Sequence, residues 1–183
     1  MWEKIAFILM IIANYSIGGR VGAKSDQNKT LITPDGITFS IWGIIYVIVG
    51  TYVFTNTKTS TLGFYSKIFI LSCILNIMWL LTWINGHVKV SSFVLFLLCG
   101  CVGILANNNE YKRYFGAYFG WTMLAATLNM LIAVGGSPVK YLWMLLVFVI
   151  GLSCIQPQHF SFYLALIWGL AGIARRYLNE KEN

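Results

Sequence analysis

Long apolar blocks alternate with short polar breaks along the whole chain. Residues 2 to 18 are apolar after Glu3 and Lys4, and a polar stretch over 19 to 36 follows, with Arg20, Lys24, Asp26 and Lys29 set among glycines. Further apolar blocks run over 36–55, 64–85, 89–106, 112–134, 139–155 and 159–177. The breaks between them are turn material: TNTKTST at 55–61, Asn85-Gly86, the Asn107–Glu110 run, Gly135-Gly136-Ser137-Pro138 and Gln156-Pro157-Gln158. Asn, Gly and Pro at these places predict helix stops. Blocks of 16 to 23 residues match the roughly 20 residues of a bilayer crossing. The predicted fold class is therefore all-α, a polytopic transmembrane helical bundle of about seven helices. The first block reads either as a signal peptide or as a retained helix. Asn14, Tyr15 and Arg20 make a poor small-residue cleavage site and favour retention.

Composition agrees with a lipid solvent. Of 183 residues, 58% are hydrophobic and 10% charged, against about 25% charged in a soluble domain. The net charge of +7 does not mark a nucleic-acid surface, because the thirteen Lys and Arg residues are scattered through connections and ends. With seven crossings, Lys4, Lys58, Lys67, Lys112 and Arg113 fall on one side and the other eight on the opposite side. That bias predicts the 19–36 loop and the C-terminus in the cytoplasm and the N-terminus outside. Cys73, Cys99, Cys101 and Cys154 lie in apolar blocks with no CxxC and no Cys/His cluster, which predicts buried free thiols and no metal site.

The stretch from Thr33 to Tyr46, TPDGITFSIWGIIY, carries the strongest local signal. Thr33 predicts an N-cap and Pro34 a first helical turn. Phe39, Trp42, Gly43 and Tyr46 then recur at i, i+3, i+4 and i+7, placing two aromatics, a hydroxyl and a small gap on one face. Asn76, Trp79 and Trp83 share a face of the third long helix, and Trp121, Ala125 and Asn129 a face of the fifth. Three helices thus bring aromatics and hydrogen-bonding groups to mid-membrane, where polar groups are costly unless partnered. Together they predict a cavity for a flat, largely apolar molecule. The plainer alternatives are that the Asn residues only tie neighbouring helices together, and that Trp2, Trp143 and Trp168 sit in an interfacial belt.

These residues also carry a resemblance. TPDGITFSIWGIIY resembles the start of helix 2 in the tryptophan-rich sensory protein/translocator protein (TspO/MBR) family, with Phe39, Trp42 and Tyr46 at the family's spacing. Leu75-Asn76-x-x-Trp79 is similar to its LNxxW motif, and Tyr118-x-x-Trp121 with Ala125, Thr127 and Leu128-Asn129 to its helix 5 signature. The motifs cover residues 1 to 135. The family's Trp-x-Pro-Pro before helix 2 is here Ile32-Thr33-Pro34-Asp35, and the chain runs on for about 45 residues past the five-helix pattern. The resemblance therefore implies a TspO/MBR-like five-helix bundle over 1–135 and two additional C-terminal helices with a short tail over 136–183. It implies binding of a tetrapyrrole, sterol or similar flat molecule, with porphyrin or haem as ligand rather than required cofactor, and a homodimer. Phe39, Trp42, Tyr46, Asn76, Trp79, Trp83, Trp121, Ala125 and Asn129 are the ligand-binding candidates.

Other classes fit less well. No Asp or Glu lies within a predicted span, and there is no GxSxG or HExxH, so the chain does not read as an enzyme. His87 and His159 fall at helix ends, which suits interfacial residues better than haem ligands. A retinal protein needs a mid-membrane Lys, and Lys140 lies at a helix start. A small secondary transporter is the serious alternative. Glycines in most blocks allow close packing and sliding, and Gln156-Pro157 is similar to the dipeptide of PQ-loop carriers.

Overall fold

A computed structural model describes residues 1–30, 32–55, 63–135 and 159–182. Seven α-helices are found among them: α1 (Trp2–Ile17), α2 (Arg20–Gln27), α3 (Ile41–Thr55), α4 (Phe64–Ile84), α5 (Val88–Ala106), α6 (Lys112–Val134) and α7 (Phe160–Glu182). A 3-10 turn over Gly36–Ser40 leads into α3. The expected helix over 139–155, with Trp143, Lys140 and Cys154, lies outside the described residues, as do most of the Thr55–Thr61 break and the Gln156–Gln158 turn.

Four helical stretches are long and apolar enough to cross a bilayer: Gly36–Thr55, Phe64–Ile84, Val88–Ala106 and Lys112–Val134. The pair α1 and α2, bent by 59°, makes a fifth if it counts as one broken span. The chain is thus an all-helical, multi-pass bundle. α7 falls short of that criterion because Arg175, Arg176, Glu180 and Lys181 crowd its second half. It also extends to Glu182, beyond the expected end at 177.

Local chemistry sets the boundaries. The polar 19–36 stretch is not a plain loop: Arg20–Gln27 folds into α2, with Val21 and Ser25 buried beneath it. Thr33 is not the N-cap. Asp35 takes that role, its Oδ1 accepting from the Thr38 N–H at 3.1 Å and the Thr38 hydroxyl at 2.7 Å. α4 ends as Asn85-Gly86 predicts. Gly86 takes a positive φ of 79°, its N–H reaches the Trp83 carbonyl at 3.0 Å, and the His87 N–H reaches Thr82 at 2.9 Å. These two bonds form a Schellman motif, which needs a residue without a Cβ penalty at that position.

α6 is the axis of the bundle. Every residue from Phe115 to Thr122 is buried, as expected of a helix surrounded on all faces. It packs on α5, α7 and α3. The contact with α7 is close because of small residues: a methyl group at Gly120 would overlap the Phe162 carbonyl, and one at Gly169 would overlap Leu124. These two glycines therefore serve close packing, and α7 is built into the same body as α6. At the outer ends of α3 and α6, Tyr52 packs edge-on against Phe69, Tyr111 and Phe115. Phe93, Phe96 and Val47 point outward, as lipid-facing side chains do.

The 19–40 segment and the end of α7 meet on one side of the bundle. Arg175 pairs with Asp35, and Arg176 pairs with Asp26 and donates to the Pro34 carbonyl at 2.7 Å. Lys29 pairs with Glu180 at 3.3 Å. The N–H of Asp35 reaches the Gly172 carbonyl at 3.3 Å. Trp168 is not merely a belt residue, since its indole donates to the Thr38 carbonyl at 2.8 Å. Trp2, in the first turn of α1, is exposed.

Candidate functional site

Trp42 lies at the centre of the aromatic cluster. Its ring stacks on Tyr46 at 5.6 Å, lies beside Trp79 at 5.5 Å, and meets Tyr118 and Trp121 edge-on at 5.8 and 6.2 Å. Phe39 meets Trp121 edge-on at 6.0 Å. Edge-to-face pairs at these separations contribute about 0.5–1.5 kcal/mol each beyond burial, so the rings hold α3, α4 and α6 in register.

Beneath the rings runs a chain of hydrogen bonds through four helices. The Tyr46 hydroxyl donates to Asn14 Oδ1 at 2.7 Å, Asn14 Nδ2 donates to Asn76 Oδ1 at 2.7 Å, and Asn76 Nδ2 donates to the Tyr118 hydroxyl at 3.1 Å. Asn14 Nδ2 also reaches the Met10 carbonyl at 2.9 Å. Asn76 is fully buried and spends both ends of its amide here. It lines neither of the two spaces described below, although the spacing predicts that it shares one face with Trp79 and Trp83. The physical reason is proximity: Asn14 on α1, an intramembrane amide that the motif spacing ignores, takes its carbonyl.

An inner cavity lies on the other side of the rings, under α2, Thr33, Pro34 and the 3-10 turn. Phe39, Trp79, Trp83, Trp121, Ala125 and Asn129 line it, with Val21, Ser25, Thr33, Pro34, Leu95, Leu128 and Ile132. Among the described residues its wall has no ionisable side chain. It is tight, with a volume of about 40 Å³, against roughly 300–1,000 Å³ for the pocket of a drug-sized ligand. A second, wider cleft of about 290 Å³ opens between α1 and α3 and is lined by Asn14, Trp42, Gly43 and Tyr46. Val21, Phe39 and Trp79 border both spaces and so form a partition between them. The nine candidates therefore do not line a single pocket. Six line the inner cavity, Trp42 and Tyr46 face the cleft, and Asn76 ties helices together.

Three buried atoms in residues that line the inner cavity lack partners. The indole N–H groups of Trp79 and Trp121 and the Oδ1 of Asn129 are buried and make no hydrogen bond. The remainder of Asn129 is satisfied, Nδ2 donating to Ser91 Oγ at 2.7 Å. Trp83 differs, donating to the Val21 carbonyl at 3.3 Å and so pinning α2 over the cavity. Buried polar groups are nearly always paired, so three orphans in residues around one cavity mark it as unusual.

The roof of this cavity was not foreseen. Val21, Ser25, Thr33 and Pro34 come from a polar stretch whose sequence signals solvent exposure. The one available hint was the apolar spacing of Ile17 and Val21 across the Gly18-Gly19 break. Asn14 was detectable as a lone amide in an apolar helix. Asp35 caps the 3-10 turn of the roof. Burial pushes its carboxyl up, but hydrogen bonds from Thr38 and Arg175 outweigh that and hold it below the usual value. No group of three or more possible metal ligands occurs among the described residues. Cys73, Cys99 and Cys101 are free thiols. His159 pairs with Ser161 at the start of α7, and His87 holds the N-cap position of α5 without a side-chain capping bond.

Comparison with curated proteins and with solved structures returns no match. The family described as TSPO-like protein matches residues 1–183, past the 1–135 region that holds the three motifs and through the end of α7. The helices, the three motifs and that full-length match lead to one conclusion: the chain belongs to the TSPO-like protein family.

Proposed function

We propose that this multi-pass membrane protein is a receptor for a flat, largely apolar small molecule, a tetrapyrrole or sterol among the fitting classes, held in the inner cavity beneath α2 and the 3-10 turn. The observation that carries this reading is the set of three unpartnered polar atoms in residues that line one largely apolar cavity. A site of this kind holds a ligand by stacking and a few directed polar contacts. The cavity is too small for such a ligand as it stands, so binding requires α2 and residues 28–40 to lift or Phe39 to turn toward the α1–α3 cleft. The absence of an ionisable group on the described wall favours a receptor over an active site. The same reading places the roof and the C-terminus in the cytoplasm and allows a homodimer.

The test is fluorescence quenching of the protein in lipid nanodiscs titrated with protoporphyrin IX and, separately, with dehydroergosterol. Saturable binding of either, weakened by about 1–3 kcal/mol in Trp121→Ala through loss of a buried aromatic contact, supports the receptor. Quenching linear in ligand and equal in the variant refutes it. Flux of a bound ligand across sealed vesicles would move the assignment from receptor to carrier.

A further inference from the structure

The side of the bundle that carries the roof is rich in charge, and three of its anions are already neutralised. Asp26 pairs with Arg176, Asp35 with Arg175, and Glu180 with Lys29 and Arg176. Three cations nearby have no such partner. The side chains of Arg20 and Lys89 are exposed and make no ion pair or hydrogen bond among the described residues. Lys24 donates only to the Gln27 amide, at 3.2 Å. The fold gathers these three. Arg20 and Lys24 stand one helical turn apart on α2, about 6 Å between Cβ atoms. The Trp83 indole holds α2 over the end of α4 through the Val21 carbonyl at 3.3 Å. The Lys24 ammonium thereby reaches the turn between α4 and α5, where a methyl group at Gly86 would lie 3.4 Å from Nζ. Lys89 follows Gly86 by three residues, at most about 11 Å of chain.

We propose that Arg20, Lys24 and Lys89 form a binding site for the headgroup of an acidic phospholipid in the leaflet on the roof side. Depth argues for a lipid. α1 ends at Ile17, α4 ends at Ile84 and α5 begins at Val88, so α2 and the α4–α5 turn lie where the apolar spans stop, at the level of the headgroups. Tyr15, Leu81 and Val90 are exposed next to them and offer apolar surface to the acyl chains of the same lipid. Charge argues for an acidic one. A zwitterionic headgroup brings its own ammonium and gains little from three cations. A headgroup of net negative charge gains up to roughly fivefold in affinity per Lys or Arg near the surface. The Asp26–Arg176 pair matters here, because Asp26 is the one acidic residue of α2 and its pairing removes a repulsion. A lipid held in this way ties α2 to the bilayer. The site stands independently of the receptor reading.

The full chain in detergent micelles is titrated with palmitoyl-oleoyl phosphatidylglycerol and, separately, with palmitoyl-oleoyl phosphatidylcholine. Native mass spectrometry reads the number of lipids bound and their dissociation constants, with lipid concentrations referred to the detergent. The two lipids share a phosphate and both acyl chains and differ in net charge. Phosphatidylglycerol is expected to bind saturably and at least about tenfold more tightly than phosphatidylcholine. Arg20→Gln/Lys24→Gln/Lys89→Gln should close that gap to about twofold. Lys67→Gln/Lys112→Gln/Arg113→Gln removes the same charge outside this site and should leave the gap within about twofold of the wild type. In the wild-type protein, roughly 1 M salt should shrink the gap to about threefold or less, which gives an answer even if a triple variant does not fold.

Equal binding of the two lipids overturns the proposal, and so does a preference that high salt leaves intact. A loss as large in the Lys67/Lys112/Arg113 variant as in the Arg20/Lys24/Lys89 variant means diffuse attraction by net charge and no site at α2. Displacement of phosphatidylglycerol by about 10 mM glycerol 3-phosphate would make the site one for a soluble phosphate and overturn its assignment to a lipid.

Discussion

Asn76→Leu tests the division of labour between the hydrogen-bond chain and the cavity. The substitution keeps the branching and the number of side-chain heavy atoms, with methyl groups bulkier than the amide, so it opens no void, but it removes two hydrogen bonds. These are the one received from Asn14 at 2.7 Å and the one given to the Tyr118 hydroxyl at 3.1 Å. Hydrogen bonds between membrane helices contribute about 0.6 kcal/mol on average and up to about 1.7, so the pair is worth about 1–3 kcal/mol. Asn14 Nδ2 keeps the Met10 carbonyl as a partner, which reduces the loss on that side. Tyr118, 1% exposed, has no water to turn to, which raises it on the other. The expected destabilisation is about 2 kcal/mol. Denaturant unfolding in bicelles, followed by circular dichroism, measures it. Asn14→Leu and the double variant complete a cycle whose costs should fall short of additivity, since both singles break the same bond. Ligand affinity of the refolded variant should change by less than about twofold, because Asn76 borders neither cavity. Unchanged stability, or a loss of affinity as large as that of Trp121→Ala, would refute the placement of Asn76 and return it to the ligand wall.

Other expected outcomes follow from the roof. Gly172→Ala puts a methyl group into Thr38, and overpacking of this kind costs about 1–3 kcal/mol; a lower unfolding midpoint with faster ligand exchange is expected, and a neutral result would mean that α7 shifts freely. Arg176→Ala removes the pairs to Asp26 and Glu180 and the bond to Pro34. Limited proteolysis within 20–40 should accelerate, and high salt should blunt the difference for the exposed pairs. Asp35 has a lowered folded pKa against an unfolded value of 3.8, so its contribution is complete well above pH 4 and fades as pH falls through the lowered value. Thermal midpoints measured from pH 7 to pH 3 should therefore drop more in the wild type than in Asp35→Asn.

α3 shows how sequence and structure divide a single helix. The i, i+3, i+7 spacing correctly puts Phe39, Trp42 and Tyr46 near one another, because a helix has one period. It cannot say that Phe39 belongs to a 3-10 turn and faces the inner cavity while Tyr46 turns toward α1. Likewise Trp121, Ala125 and Asn129 share a face as the four-residue spacing requires, and all three reach the cavity. Asn76 shares the spacing of Trp79 and Trp83 yet does different work, because its partners lie 62 and 42 residues away in sequence.

The sequence by itself determined the solvent, the helical class, most helix ends and the family motifs, since hydropathy, turn residues and residue spacing are local quantities. Only the tertiary structure decided which polar atoms find partners. Asn76 is satisfied by Asn14 and Tyr118, whereas the indole N–H groups of Trp79 and Trp121 and the Oδ1 of Asn129 are left without partners. It also decided that the polar 19–36 stretch folds over that cavity and is held there by Arg175 and Arg176. Hydrogen bonds and ion pairs between distant segments depend on which surfaces meet, and that is settled only when the helices pack.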